Sequence, residues 1–475
     1  MVPNGERRWR CQAETLGRKG TRDSALRGGE GGRTVLRFTR PGSILIYFGF
    51  STFCLQNSSI SENSPQIACA LGNVDADNCL NPPPLPNSTV NVDHERGKPP
   101  TACDAPEAKL SAPDSYRLPP ELQDSDFYLL SDIYMFGPTF ARDLHRALEY
   151  CHRHSPHLLA EIFRALGSCL SWARLGELPE DQVDVKSGAV SIEKLRNAEI
   201  KNLHDAVAVL MLGQALAAFD SLVTSTGAMS ILRCSLSLIC PWYPDIAEIQ
   251  LLETIAIAPV FWDTVWCLLH REVPVLQPLV TWTRVVDRVA GLCTSLLPIL
   301  YNLCVFGQRW KDGVPQPQCM LDSIEQQIRT WSPDDSALTL QRYSTIEILS
   351  IRTQASMYRT AALLLVHWIR HPLASPDPTS TSLANDIISA REEFFASAGP
   401  SAKLQNTSFP LSLALLEVPI SPDRFWESST WLRTRPACVR HLSAFTGYVW
   451  DQRYAGFESS LFDLVKSGPN FVPVP

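Results

Sequence analysis

From about residue 123 onward, apolar side chains return every three or four positions, and no other property of the chain restricts its fold so strongly. Leu158, Leu159, Ile162, Phe163, Leu166 and Leu170 follow this spacing behind Pro156, a residue suited to the first turn of a helix. Ile192, Leu195, Leu203, Val207, Leu210, Met211 and Leu216 continue it through an alanine-rich stretch. Val285, Val289, Leu292, Leu296, Leu300 and Cys304 form a further stripe, expected to be one helix bent at Pro298. Ile346, Leu349, Tyr358, Ala361, Leu364 and Trp368 form another, ended by His371-Pro372 because the residue before a proline avoids helical geometry. Alternation of the kind that makes strands is scarce. The fold class expected is therefore all-α: a large multi-helix domain over 123–465, with 466–475 as a C-terminal tail. With 45% of its 475 residues apolar and 19% charged, the chain has ample material for one large core.

The preceding 122 residues read differently. Residues 1–40 hold ten Arg and Lys against four acids, a local balance of +6, in a glycine-rich stretch poor in aromatics. Residues 56–122 are rich in Ser, Asn and Pro, with NPPPLP at 81–86 and RLPP at 117–120. Such composition does not bury enough apolar surface to fold, so 1–122 is expected to be a disordered region, basic and then Pro/Ser-rich. Between these parts, the apolar run Ile44–Leu55 spans 12 residues, too short to cross a bilayer and too far from the start for a signal peptide. The uncharged stretch Val289–Phe306 contains Thr294, Ser295, Pro298 and Asn302 and is expected to be a buried helix rather than a span.

Charge and cysteine usage narrow the function classes. A formal net charge of -7 gives no global attraction for phosphate backbones. Of the 14 cysteines, Cys169, Cys234, Cys240, Cys267, Cys293 and Cys304 sit in apolar runs, as reduced core thiols do. The sequons at Asn57, Asn87 and Asn406 are read as chance matches. No G-x-S-x-G, H-E-x-x-H, G-x-x-x-x-G-K-[ST] or DDxxD-type motif occurs, and GGEGGR at 28–33 lacks the strand and helix that phosphate binding needs. The densest ligand run is CHRHSPH, with Cys151, His152, His154 and His157; Pro156 interrupts it, and a zinc site needs four placed ligands. No enzyme activity, cofactor, catalytic residue or metal site is expected. The aromatics Trp242, Tyr243, Phe261, Trp262, Trp266 and Trp368 are suited either to core packing or to lining an effector pocket.

These segments, taken in order, resemble the fungal-specific transcription factor domain, the regulatory region of fungal binuclear zinc cluster transcription factors. SPHLLAEIFRALGSCLSW (155–172) is similar to its early helix, and LGQALAAFDSLV (212–223), ICPWYPDI (239–246), APVFWDTVWCLLHREVPVL (258–276) and VDRVAGLCTSLLPILYNLC (286–304) to its middle helices. YRTAALLLVHWIRHP (358–372) is similar to an alanine-rich aliphatic helix that ends in a basic residue, and FPLSLALLEV (409–418) to a late helix, with Phe409 where tryptophan is usual. The resemblance covers roughly 125–465.

What it implies is a helical regulatory domain in the nucleus that controls transcription, in the family often of metabolic or secondary-metabolite gene sets. Family members carry an N-terminal six-cysteine module, Cys-x2-Cys-x6-Cys repeated around a loop, that binds two zinc ions and reads DNA. Here Cys11, Cys54, Cys69, Cys79 and Cys103 include no pair two residues apart, so that cluster is not found. Either the chain acts without a reader of its own, or its first 120 residues do not represent the natural N-terminus. Sequence-specific DNA binding by this chain alone is not expected; protein partners or a second copy are, and the effector ligand is left open. The alternative is a helical scaffold or interaction protein that has lost DNA binding.

Overall fold

The computed structural model describes residues 134–173, 183–334, 336, 340–371, 373, 377–420 and 436–471. The expectations for residues 1–122 and the first residues of the helical region lie outside this set. Within it the chain is all-α: helices and short 3-10 turns follow one another, and no β-strand occurs among the described residues.

Local chemistry sets the helix ends. α1 (Ala141–His154) stops at Ser155, and α2 (Pro156–Ala173) starts on the proline that lacks the N–H no helix start needs. α3 (Val185–Arg196) is capped by Asp184, whose side chain accepts from the Ser187 N–H, and α4 (Leu203–Val223) by Asn202, which accepts from the Asp205 N–H. The stripe running from Ile192 to Leu216 is thus two helices, separated at Asn197–Asn202. α5 (Ala228–Ile239), α6 (Tyr243–Ala247) and α7 (Glu253–His270) follow, the last ending on Arg271 in the left-handed region at φ 50°. α8 is Leu297–Lys311, α9 Gln318–Thr330 and α10 Thr345–Arg370, which opens on a capping box between Ser344 and Glu347 and ends just before His371. α11 (Pro378–Ala398), α12 (Ser408–Glu417), α13 (Pro436–Tyr454) and α14 (Leu461–Ser467) complete the order.

Two helices organise the packing. α4 is buried on nearly every side and packs on α1, α2, α3, α5, α7 and α13. It crosses α5 so closely at Gly213 that a Cβ there would fall 2.2 Å from the Ser235 Cβ, which excludes any larger residue. α10 packs on α9, α11 and α12. α4 and the stretch Gln250–His270 are long and apolar enough to cross a membrane, yet both are mostly buried in this core.

Several expectations need correction. The C-terminal boundary at 465 falls inside α14, and Phe471, expected in the tail, is 2% exposed and stacks on Phe445 at 4.2 Å between ring centroids. The stripe from Val285 to Cys304 is not one bent helix: its first half is a buried loop, and Pro298 lies in the first turn of α8 instead of kinking its middle. At the start of α10 Ile346 is 52% exposed; the buried face there carries Glu347, Ser350 and Gln354, and Glu347 and Gln354 hydrogen-bond to neighbouring backbone. Cys169, Cys267, Cys293 and Cys304 are buried as expected, but Cys234 is half-buried and Cys240 exposed.

Candidate functional site

The ligand run CHRHSPH is dispersed by its own helix. Cys151 faces the core, where burial pushes its thiol up, and His152 is buried with its ring 6.0 Å from Phe163. His154 and His157 are exposed. His154 meets a residue of α4 instead: its ring stacks on His204 at 4.2 Å with a 4° interplanar angle. Tyr150 serves both rings, its carbonyl lying 2.7 Å from His154 Nδ1 and its hydroxyl 2.8 Å from His204 Nδ1. No group of three or more His, Cys, Asp or Glu able to hold a metal ion occurs among the described residues. Cys11, Cys54, Cys69, Cys79, Cys103, GGEGGR and the proline runs lie outside those residues.

The aromatic candidates divide between packing and surface. Tyr243 is buried and meets Trp282 edge-on at 5.5 Å, while Trp242 is half-buried. Phe261 is fully buried, but Trp262 and Trp266 are only half-buried. Trp266 lies between His270, stacked at 3.9 Å, and the Arg233 guanidinium at 4.8 Å from its ring centroid. Trp368 is buried and donates its indole N–H to Glu417 at 2.5 Å. An open groove of about 520 Å³ runs along the first turns of α11, beside Asp377, Thr381, Asn385 and Asp386. Its Asp377 is already engaged, by the Thr379 N–H at 2.7 Å and His367 Nε2 at 3.1 Å.

The unusual chemistry is in the core, where the sequence pattern misreads the structure. Asp287 is buried, and its Oδ1 accepts from the N–H groups of Val289 and Ala290, both at 2.8 Å. Asp287 and Gly291 also exchange backbone hydrogen bonds at 3.1 and 2.9 Å, closing a tight loop with Gly291 at φ 55°. These local bonds compete with helix and win, which is why α8 begins only at Leu297. Arg288 leaves the loop sideways, donating to the Thr254 carbonyl at 2.9 Å and to Gln214 Oε1 at 3.2 Å.

Gln354 of α10, fully buried, ties this loop to a second one. Its amide donates to the Val289 carbonyl at 2.7 Å and to the Asn406 carbonyl at 3.2 Å. Asn406 belongs to the buried stretch 404–407 before α12 and sits at φ 54°, a conformation asparagine tolerates. Its burial also leaves the Asn406 sequon without access for glycosylation. Ser350 and Tyr358 lie one helical turn either side of Gln354 on the same face, and both are buried. The Tyr358 ring lies 5.1 Å from that of Phe261 and 5.7 Å from that of Phe409.

Burial governs the electrostatics of this junction. It drives the Asp287 carboxyl above the usual carboxylate range, against the pull of Arg288 and of the backbone N–H groups. Burial likewise pushes the Cys293 thiol and the Tyr358 hydroxyl up. A thiol held protonated by burial is a poor nucleophile. Ser350, Gln354 and Tyr358 follow helical spacing in the sequence, but only the tertiary structure reveals that this polar stripe faces two loops. Searches against family models, curated proteins and solved structures return no match to this chain.

Proposed function

We propose that the chain is a transcriptional regulator of the nucleus, acting through its helical domain on a fungal metabolic or secondary-metabolite gene set, and that it is not an enzyme. The observation that carries this reading is one of order. The segments that resemble the fungal-specific transcription factor domain fall in sequence on α2, α4, the α5–α6 junction, α7, the 285–296 loop with α8, α10 and α12. Each contributes buried residues to a single core, among them Phe163, Leu216, Phe261, Leu300, Trp368 and Phe409.

A second reading has its own support. The net charge of -7 and the lack of any Cys-x2-Cys pair favour a helical interaction protein that reaches promoters through a partner or not at all. Chromatin immunoprecipitation with a tagged full chain separates the two. Nuclear enrichment with promoter occupancy supports the regulator, and a diffuse protein without occupancy supports the scaffold. A mobility-shift titration against a random duplex pool then tests how DNA is reached. Weak binding that falls equally for all sequences as salt rises is the outcome expected of the basic first 40 residues, whereas selection of a motif overturns the expectation that a partner supplies the reader.

A further inference from the structure

Pro259 lies buried inside α7. A proline there has no N–H to give to the carbonyl four residues back, and its ring crowds that carbonyl, so the hydrogen-bond ladder of α7 is interrupted at Ile255. A buried carbonyl without a donor is costly, and its partner has to come from another element. It comes from α4: Gln214 Nε2 donates to the Ile255 carbonyl at 2.7 Å. Arg288 fixes the orientation of that amide, donating to Gln214 Oε1 at 3.2 Å. From its Nε the same guanidinium donates to the adjoining Thr254 carbonyl at 2.9 Å. Two side chains from separate elements therefore meet on the one turn of α7 that its proline weakens.

The break divides α7 into parts with different attachments. The turn before Pro259 is held by Gln214 and Arg288. The turns after it carry Asp263, whose Oδ1 lies 3.4 Å from Arg233 of α5. They lead to Arg271, whose guanidinium lies 3.5 Å from the Asp463 carboxylate of α14 and 5.3 Å from the Trp310 ring centroid of α8. Thr264 adds a second bending influence, because its hydroxyl donates back to the Val260 carbonyl at 2.8 Å. A helix broken by proline, with each half fastened to different neighbours, can swing once the bonds across the break are released. Arg288 is the point of release, since it belongs to the 285–296 loop and both of its acceptors here are neutral.

We propose that Pro259 is a hinge in α7, latched by Gln214 and Arg288, so that the 285–296 loop sets how freely the second half of α7 moves. The latch stands on these bonds and does not rest on the regulatory reading.

Amide hydrogen exchange of the full chain tests it, with the buried residues Leu364, Leu365 and Val366 of α10 as internal reference. Gln214→Met removes the amide while keeping the length of the side chain. It should speed exchange from Val260 to Asp263 about tenfold and leave the α10 reference unchanged. Arg288→Met should give the same local pattern to a smaller extent. Pro259→Ala restores the missing N–H, so adding Gln214→Met to that background should change α7 exchange little. If Gln214→Met speeds α7 and α10 alike, or acts as strongly on the Pro259→Ala background, Gln214 serves overall stability only and the hinge is refuted. Parent-like exchange of α7 in Arg288→Met would remove the loop from the device and overturn the proposal as well. Because exchange is read without DNA, its failure and the absence of promoter occupancy are separate results.

Discussion

Thr139 donates both its backbone N–H and its hydroxyl to the Glu347 carboxylate, at 3.0 and 2.8 Å, across 208 residues of sequence. The same carboxylate accepts the Ser344 N–H at 2.7 Å as its half of the capping box of α10. One buried acid therefore starts a helix and fastens the first described segment of the chain to it.

Replacing Glu347 with Gln should cost about 1–2 kcal/mol, since a capping partner and a charge-assisted bond are both weakened. Burial opposes the charged form, but the donors from Ser344 and Thr139 outweigh it and hold the Glu347 carboxyl below the ordinary carboxylate range. A depressed folded value gives stability that is complete above the unfolded pKa of about 4.3 and is lost as pH falls through the lower folded value. Urea midpoints compared at neutral pH and below pH 4 should show a steeper acid loss in the parent than in Glu347→Gln.

α7 carries two adjacent aromatics of unequal burial. Phe261 is 0% exposed, and Phe261→Ala should cost about 3–5 kcal/mol. Trp262 is half-buried, so Trp262→Ala should cost clearly less despite removing a larger side chain. Denaturant midpoints of the two variants settle the order, and equal losses would mean that Trp262 packs more deeply than its exposure indicates.

Glu417 and Arg453 form a buried pair at 2.7 Å, with side chains 3% and 8% exposed, and the Trp368 indole shares the same carboxylate. Arg453→Ala leaves that charge buried and less compensated, and should cost about 3–5 kcal/mol. The double change Arg453→Met with Glu417→Leu removes both charges and should recover much of the loss. A double variant as unstable as Arg453→Ala would show that packing around α12 and α13, not charge pairing, sets the cost.

The all-α class, the long helices and most core positions were legible because helical period and burial coincide in α2, α8 and the second half of α10, and because α4 is apolar along its whole length. What was not legible depended on partners distant in sequence. Nothing in the pattern from Val285 to Leu296 announces that Asp287 will bond to Val289 and Ala290 and unwind the start of the stripe. Ile346 looks like a core residue until Thr139 and the buried loops claim the opposite face for Glu347 and Gln354. The CHRHSPH run drew notice for metal ligands within itself, whereas the contact His154 makes is with His204, across a helix boundary.

That contact should respond to acid. His204 is held below the ordinary imidazole value, first by partial burial and then by the neighbouring His154, with Asp205 acting in the opposite sense. A lowered value for a basic group means that the unfolded chain binds the proton more readily. Its contribution is therefore complete above the ordinary pKa of about 6.5 and declines as pH falls through it. Histidine resonances followed by NMR should show His204 titrating later on acidification than a solvent-exposed imidazole. In His204→Gln the loss of stability between pH 7 and pH 5.5 should be smaller than in the parent.

The all-round burial of α4 also has a cost in time. A helix shielded by its neighbours on nearly every side has no solvent-compatible face while those neighbours are still unmade. α5 and α7 arrive within the next 50 residues or so, but α13 follows only after Pro436, more than 200 residues downstream. At translation rates of about 5–20 residues per second, that leaves at least ten seconds in which a 21-residue apolar helix lacks part of its cover. During that interval α4 has the length and composition of a membrane span, so chaperones and the insertion machinery compete for it with the rest of the fold. Chains stalled before Pro436 should accordingly bind holdase chaperones, and those released after Tyr454 should not.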